Sequence, residues 1–98
     1  MNTLHTPSND RLFEAILKLE SIEECYKFFE DICTIKELVD ISQRLKVAEM
    51  LLAEKSYQEI SRETGASTAT ISRVNRCLLY GSGGYRSVIE KLSSEGDS

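Results

Sequence analysis

The segment from Ser56 to Arg76 restricts the folds open to this 98-residue chain more than any other part of the sequence. Gly65 lies near its middle, and glycine tolerates the left-handed backbone that a sharp turn between helices requires. Ser61, four residues earlier, is small enough for a second helix to cross closely. Serines at 56 and 67 stand where helix N-caps are expected. The segment therefore predicts a helix-turn-helix over about residues 57–79.

The same start signals recur along the chain and divide it into helices. Capping boxes, in which Ser or Thr precedes Glu by three residues, begin at Ser21, Thr34 and Ser56. Asn9 or Asp10 can cap an earlier helix. Apolar residues then recur at helical spacing, and the sequence contains neither strand-like alternation nor an internal repeat. We predict an all-α fold of six helices.

Both ends of the chain are polar. Residues 1–8, with the only proline and the only histidine, are predicted to form a flexible arm. Glycines at 81, 83 and 84 should end one helix before a last short one, from Tyr85 to about Leu92. We predict a single helical domain over residues 9–92 and a disordered tail over residues 93–98.

Charge is distributed unevenly, although the net charge is only −4. Residues 1–63 contain thirteen acids and eight bases, a net of −5, whereas residues 64–98 contain three acids and four bases, a net of +1. No acid occurs between Glu63 and Glu90, where Arg73, Arg76 and Arg86 are found. A cationic surface of this kind suits a polyanionic partner better than the total charge suggests.

The second helix of the predicted pair has two different faces. Ile60, Ala66, Ile71 and Val74 fall where the two helices would be locked together. The opposite face begins with small residues, which let a helix enter the major groove, and continues with arginines, which bind guanine or phosphate. Free amides at helix starts also attract phosphate. The residues predicted to contact double-stranded DNA are Gln58, Ser67, Thr68, Ala69, Thr70, Ser72, Arg73 and Arg76.

Other classes of protein are poorly matched. Cys25, Cys33 and Cys77 are odd in number, far apart and within apolar patterns, so we predict reduced core thiols and no metal site. A single histidine in the arm and the absence of a phosphate-binding glycine loop after a strand predict no enzyme, no catalytic residue and no cofactor. No segment approaches the roughly 20 apolar residues that span a bilayer, so no membrane partner and a cytoplasmic location are expected.

The order of residues from Gly65 to Arg73, Gly-Ala-Ser-Thr-Ala-Thr-Ile-Ser-Arg, resembles the Trp repressor family and, within it, the Trp-repressor-related YerC/YecD group. The resemblance extends from about Phe28 to Leu92 and includes Thr34 to Glu37, Arg44, Glu49 to Leu52, and Gln58 to Ile60. It implies a six-helix Trp-repressor-like fold and an intertwined homodimer. Its two helix-turn-helix units would enter successive major grooves of a palindromic target, about 34 Å apart.

The resemblance also implies where a small molecule would bind. In the Trp repressor, tryptophan lies between two arginines, and the matching residues of this pocket are Thr34, Arg44, Arg73, Val74 and Cys77. The family has glycine at the position of Val74, and three added carbons would overpack the ligand space at a cost of about 1–3 kcal/mol. We therefore predict no regulation by tryptophan and leave any other effector open.

Both arginines of this pocket have alternative partners. Arg44 and Arg73 could pair with acids, or contact phosphate, with no ligand between them; we favour phosphate for Arg73 and leave Arg44 open. The acids concerned are Glu37, Asp40 and Glu63.

Together these features predict a sequence-specific DNA-binding transcriptional regulator, and specifically a repressor, that acts as a homodimer. The alternative is a helical protein–protein interaction module that does not bind DNA. The sequence indicates neither the target sequence nor the regulated genes.

Overall fold

The computed structural model describes residues 3–96 and contains six α-helices in that range. They are α1 (Pro7–Ile16), α2 (Ile22–Ile32), α3 (Ile35–Leu52), α4 (Tyr57–Thr64), α5 (Thr68–Tyr80) and α6 (Gly84–Gly96). No described residue forms a strand, so the predicted all-α class and the number of helices are confirmed. Within the same range, no helix has the length and apolar character needed to cross a bilayer.

The chain forms two compact units, Met1–Leu38 and Val39–Ser98, and the boundary between them falls inside α3. The first unit contains α1 and α2, and neither helix has a buried residue. The second unit contains α4, α5 and α6 and the buried core. The prediction of one domain over residues 9–92 stays a prediction.

The first helix begins earlier than predicted. Thr6, not Asn9 or Asp10, is its N-cap, and its side-chain oxygen accepts a hydrogen bond from the backbone N–H of Asn9 at 3.1 Å. Pro7 follows at the first helical position, where its missing N–H costs nothing and its fixed φ suits a helix. The prediction of a flexible arm is therefore wrong for Pro7 and Ser8. Residues 1 and 2 lie outside the described residues.

The other predicted N-caps are confirmed. Ser21, Ser56 and Ser67 each accept from the backbone N–H three residues later, at 3.1–3.2 Å. Thr34 forms the complete capping box, because it accepts from the N–H of Glu37 at 3.1 Å while its own N–H donates to the Glu37 carboxylate at 2.8 Å. Local hydrogen bonds thus set four helix starts.

The buried core of the second unit is small and consists of aliphatic side chains and one methionine. The last turns of α3 and one face of α5 contribute most of the core residues. Helix α4 contributes a single isoleucine, and the turn between α4 and α5 contributes an alanine. Its members are Val47, Ala48, Met50, Ile60, Ala66, Ile71, Val74 and Leu78. Tyr85 and Ile89 of α6 pack against it. The core therefore holds the helix-turn-helix against α3 and α6.

Helix α3 ends at Leu52 in a Schellman motif with an unfavourable residue at its key position. The N–H of Lys55 donates to the carbonyl of Met50, and the N–H of Glu54 donates to that of Leu51, both at 3.0 Å. This pattern requires left-handed backbone at Glu54, whose φ is +62°. Glycine usually occupies such a position because a Cβ is disfavoured there.

Helix α5 ends at Tyr80, directly before the glycines that were predicted to stop it, and these glycines have different roles from one another. Gly81 has a φ of −84°, so its backbone does not require glycine. A Cβ at this position would collide with the backbone carbonyl oxygen of Cys77, and glycine is needed because it has no Cβ. Of the three, Gly83 has the positive φ, +88°. Helix α6 starts at Gly84 and continues to Gly96, because residues 93–95 contain neither proline nor glycine. The prediction of a disordered tail is therefore wrong for residues 93–96, and residues 97 and 98 lie outside the described residues.

Two substitutions test the left-handed turns in opposite directions. Glu54→Gly is expected to raise the free energy of unfolding by roughly 0.5–1 kcal/mol, because left-handed backbone costs an L-residue about 1–2 kcal/mol and the flexibility of glycine offsets part of that gain. Gly65→Ala, at a φ of +76°, is expected to lower it by about 1 kcal/mol. A Cβ at residue 65 would meet nothing within 4 Å, so the loss would report backbone strain alone.

Urea denaturation at one fixed chain concentration measures both changes. Gly84→Ala is the matched control, because its Cβ would also meet nothing within 4 Å and its φ is not positive. Full stability of Gly65→Ala would contradict the strain assigned to the turn.

Candidate nucleic-acid interface

The turn between α4 and α5 is fixed by a local hydrogen-bond network. The N–H of Gly65 donates to the Ser61 carbonyl at 2.8 Å. The Ser61 hydroxyl donates to the Ala66 carbonyl at 2.9 Å, across the turn. The Thr64 hydroxyl donates to the Ile60 carbonyl at 2.7 Å and accepts from the N–H of Ala66 at 3.1 Å. Ser61 therefore does more than leave space for a crossing helix, because its side chain closes the turn.

The predicted lock between the two helices is confirmed. Ile60 and Ile71 are fully buried, Ala66 is 2% exposed and Val74 is 3% exposed. Burial of these side chains holds α5 against α4. The orientation of α5 relative to α4 is therefore set by packing and by the turn.

The N-terminus of α5 is exposed. Ser67 caps it: its oxygen accepts from the N–H of Thr70, and its hydroxyl donates to Thr70 Oγ1, both at 3.1 Å. Because Thr70 Oγ1 accepts this bond, its own proton can donate to another group. The N–H groups of Thr68 and Ala69 have no acceptor within the helix. This end of α5 offers several hydrogen-bond donors to an anion or a base edge.

The outer face of α5 is cationic. Ala69, Ser72, Arg73 and Arg76 have the spacing that places side chains on one face of a helix. Ser72 is half-buried and the other three are exposed. Within residues 3–94, neither arginine of this face forms an ion pair with a carboxylate. Both guanidinium groups are thus available for an external partner.

The second unit brings together only part of the predicted small-molecule pocket. Arg44 of α3 and Cys77 of α5 both line an open cleft of about 580 Å³. Arg73 and Val74 do not line this cleft; the first is exposed and the second is buried in the core. Thr34 belongs to the first unit, where it caps α3.

The remaining walls of that cleft come from α3, from the turn after α5 and from the start of α6. They are Ile41, Leu45, Gly81, Ser82, Gly83, Gly84, Tyr85, Arg86 and Val88. Ion pairs of Arg44 and Arg73 with acids, which were one alternative for these two arginines, are absent from the part of the chain between residues 3 and 94.

The prediction that the three cysteines lie in the core is wrong for Cys77, which is exposed. It is adjacent to the buried Leu78 in sequence, and consecutive residues on a helix point about 100° apart. Cys25 and Cys33 are half-buried, and none of the three forms a disulfide. Among the described residues, no group of histidines, cysteines or acids is arranged to hold a metal ion.

Two further residues contact the helix-turn-helix and were not predicted. The Gln43 side-chain amide in α3 donates to the Thr64 carbonyl, the last of α4, at 3.1 Å. Arg86 Nε in α6 donates to the Leu78 carbonyl, near the end of α5, at 3.3 Å. Arg86 was visible in the sequence as one of the three arginines between Glu63 and Glu90, whereas nothing distinguished Gln43 from any other polar residue of α3.

Comparison with known proteins supports the resemblance seen in the sequence. The family model described as Trp repressor protein matches residues 8–93. An uncharacterised protein of Bacillus subtilis (strain 168), YerC, is 53% identical over 83 residues, which are 85% of this chain and 80% of that protein.

Two crystal structures are similar to this chain over most of its length. A TrpR-like protein from Eubacterium eligens is 53% identical, with a TM-score of 0.91 over 95% of this chain and 96% of the other. A candidate Trp repressor from Staphylococcus aureus is 48% identical, with a TM-score of 0.89 over 92% of this chain and 90% of the other. The fold is therefore that of the Trp repressor, and the chain belongs to the Trp repressor family, in the group that includes YerC.

Proposed function

We propose that this protein is a transcriptional repressor that reads a palindromic DNA sequence as a homodimer. The observation that carries the proposal is the outer face of α5, where an exposed helix N-terminus precedes two arginines without acidic partners among residues 3–94. Small side chains at the start of α5 permit entry into the major groove. Gln58, Ser67, Thr68 and Arg73 would bind phosphates and position the helix, and Ala69, Thr70, Ser72 and Arg76 would face the bases.

A protein-binding module is the second candidate, since the chain is acidic overall and exposed polar residues can serve any partner. The charge distribution favours DNA, because no acid occurs in the sequence between Glu63 and Glu90. The two candidates differ in salt dependence. Release of counterions from DNA lowers affinity steeply as salt rises, whereas apolar protein contacts depend on salt only weakly.

The homodimer is supported by apolar side chains that one chain leaves exposed. In the first unit, Leu17 is 82% exposed, Ile22 78% and Ile35 86%. Helices α1 and α2 bury no residue, although both are amphipathic. Large apolar side chains that a single chain leaves exposed in such number commonly mark an interface. A second copy of the chain is the partner that this family of small helical domains implies.

Independence from tryptophan is supported by the burial of Val74. Its side chain belongs to the core that holds α4 and α5 together. The position that is glycine in the Trp repressor is thus filled by a group that also stabilises the helix-turn-helix. We therefore expect the protein to bind DNA without a co-repressor at this position.

The DNA contacts are tested with duplexes that the purified protein selects from a randomised pool. Arg73→Ala removes a charged hydrogen bond to phosphate, so it is expected to weaken binding to the selected duplex by about 1.5–3 kcal/mol and to weaken binding to a random duplex similarly. Thr70→Ala should cost about 0.5–1.5 kcal/mol, the value of one hydrogen bond. Fluorescence anisotropy at several salt concentrations gives both affinities and the salt slope, which falls by about 0.9 for each phosphate that a variant no longer neutralises.

Arg11→Ala is the matched control, since it removes the same charge from an exposed residue of α1. It should bind the selected duplex nearly as well as the wild type. Unchanged binding by both Arg73→Ala and Thr70→Ala would exclude the proposed reading face.

The homodimer is tested by placing charge on the exposed apolar residues of the first unit. Leu17→Glu and Ile22→Glu are each expected to shift the protein from dimer to monomer in sedimentation velocity, because a carboxylate cannot be buried unpaired at an interface. Lys18→Glu, at an exposed neighbouring residue, is the control and should stay dimeric. A wild-type protein that sediments as a single chain at micromolar concentration would contradict the homodimer.

The absence of tryptophan regulation is tested by calorimetric titration with L-tryptophan. Because the valine overpacks the ligand space by about 1–3 kcal/mol, the wild type should show no saturable binding at micromolar concentration. Val74→Ala, which removes two of the added carbons, is the variant in which binding would reappear first. Saturable micromolar binding by the wild type would overturn this part of the proposal.

A further inference from the structure

In both helices of the helix-turn-helix, the N-terminus and the C-terminus have different hydrogen-bond partners. Both N-termini are exposed and capped only by their own serines, Ser56 and Ser67. Both C-termini receive a hydrogen bond from a side chain on another helix. Within residues 3–94, these two bonds are the side-chain hydrogen bonds that join the helix-turn-helix to a flanking helix.

The first bond ties the end of α4 to α3. The last four carbonyls of a helix lack an intrahelical partner, and that of Thr64 is the last of α4. The Gln43 amide reaches it at 3.1 Å in a partly buried position. A backbone carbonyl can only accept, so the amide nitrogen of Gln43 must face it. The bond lies next to Gly65, where the chain turns.

The second bond ties the end of α5 to α6. The Leu78 carbonyl is also among the last four of its helix, and Arg86 Nε reaches it at 3.3 Å, again partly buried. A cation near a helix C-terminus is additionally stabilised by the helix dipole. Arg86 is the third cation of the acid-free stretch, and this bond turns it toward backbone that the proposed DNA contacts do not use.

Resting on the proposed function, we infer that Gln43 and Arg86 are positioning residues that fix the angle of α5 to α3 and α6 in the free protein. The position of these two hydrogen bonds at the C-termini is compatible with DNA binding. The helix N-termini must stay open to phosphate, so side chains of other helices can hold the pair only through its C-terminal carbonyls. The core permits small rotations of the helix pair, since aliphatic contacts are non-directional. Two directional hydrogen bonds at opposite ends of the pair restrict that rotation.

The inference is tested first without DNA. Spin labels at exposed positions of α3 and α5, Lys46→Cys and Tyr80→Cys, in a chain whose native cysteines are serine, report the angle of α5 as a distance distribution. Dilution into unlabelled chains suppresses distances between subunits. The parent should give one narrow distribution, and Gln43→Leu and Arg86→Met should each broaden it or add a second distance. An unchanged distribution in both variants would overturn the inference, whatever the DNA measurements show.

DNA binding then separates positioning from general stability and from a direct phosphate contact. Each variant should lose roughly three- to tenfold in affinity for the selected duplex, the value of one hydrogen bond. Affinity for a random duplex and its salt slope should stay within twofold of the wild type. A salt slope reduced by about 0.9 in Arg86→Met would assign Arg86 to a phosphate instead and contradict the inference.

Conservative variants provide a further control. Arg86→Lys keeps the charge but lacks the planar group that places Nε on the carbonyl, so it should behave like Arg86→Met. Recovery of wild-type affinity by lysine would show that charge alone matters and would contradict the positioning role. Equal losses on selected and random duplexes, in proportion to a lowered unfolding midpoint, would show a purely structural effect and would also contradict it.

Discussion

The left-handed backbone at Gly65 sets the direction in which α5 leaves α4, and the candidate DNA-binding face depends on that direction. The turn places Ala66 in the core, and the Ser61 hydroxyl then bonds its carbonyl. Ile71 and Val74 are buried as a result, and the opposite face of α5 is left to solvent. A different angle at residue 65 would turn the arginines of α5 away from the face they now occupy.

The helix-turn-helix combines a buried core between its two helices with exposed N-termini and hydrogen-bonded C-termini. Its N-termini keep backbone donors exposed, while Gln43 and Arg86 occupy carbonyls at its C-termini. This division explains how one pair of short helices can be held firmly and still present donors to an anion. The apolar faces of the first unit contrast with it, because no residue of α1 or α2 is fully buried within one chain. The proposed dimer would supply their partner and bring a second reading helix.

Local signals predicted much of the structure. The serine and threonine caps, the turn at Gly65 and the inner face around Ile71 were all predicted correctly, because each depends on residues within a few positions of one another. The start of α1 was misplaced because Pro7 was assigned to the arm, although proline directly after a capping residue marks the first position of a helix. Gln43 could not be predicted, because its acceptor lies 21 residues away and becomes adjacent only after folding. The exposure of Cys77 likewise depends on which way α5 faces.

Footprinting of the wild-type protein on a duplex that it has selected tests the central claim most directly. Protection of guanine N7 from methylation reports occupancy of the major groove. We expect two protected patches on one side of the duplex, one helical turn or about 10 base pairs apart, each at one half of a palindrome. Uniform protection along the duplex, or no selected sequence at all, would contradict the claim.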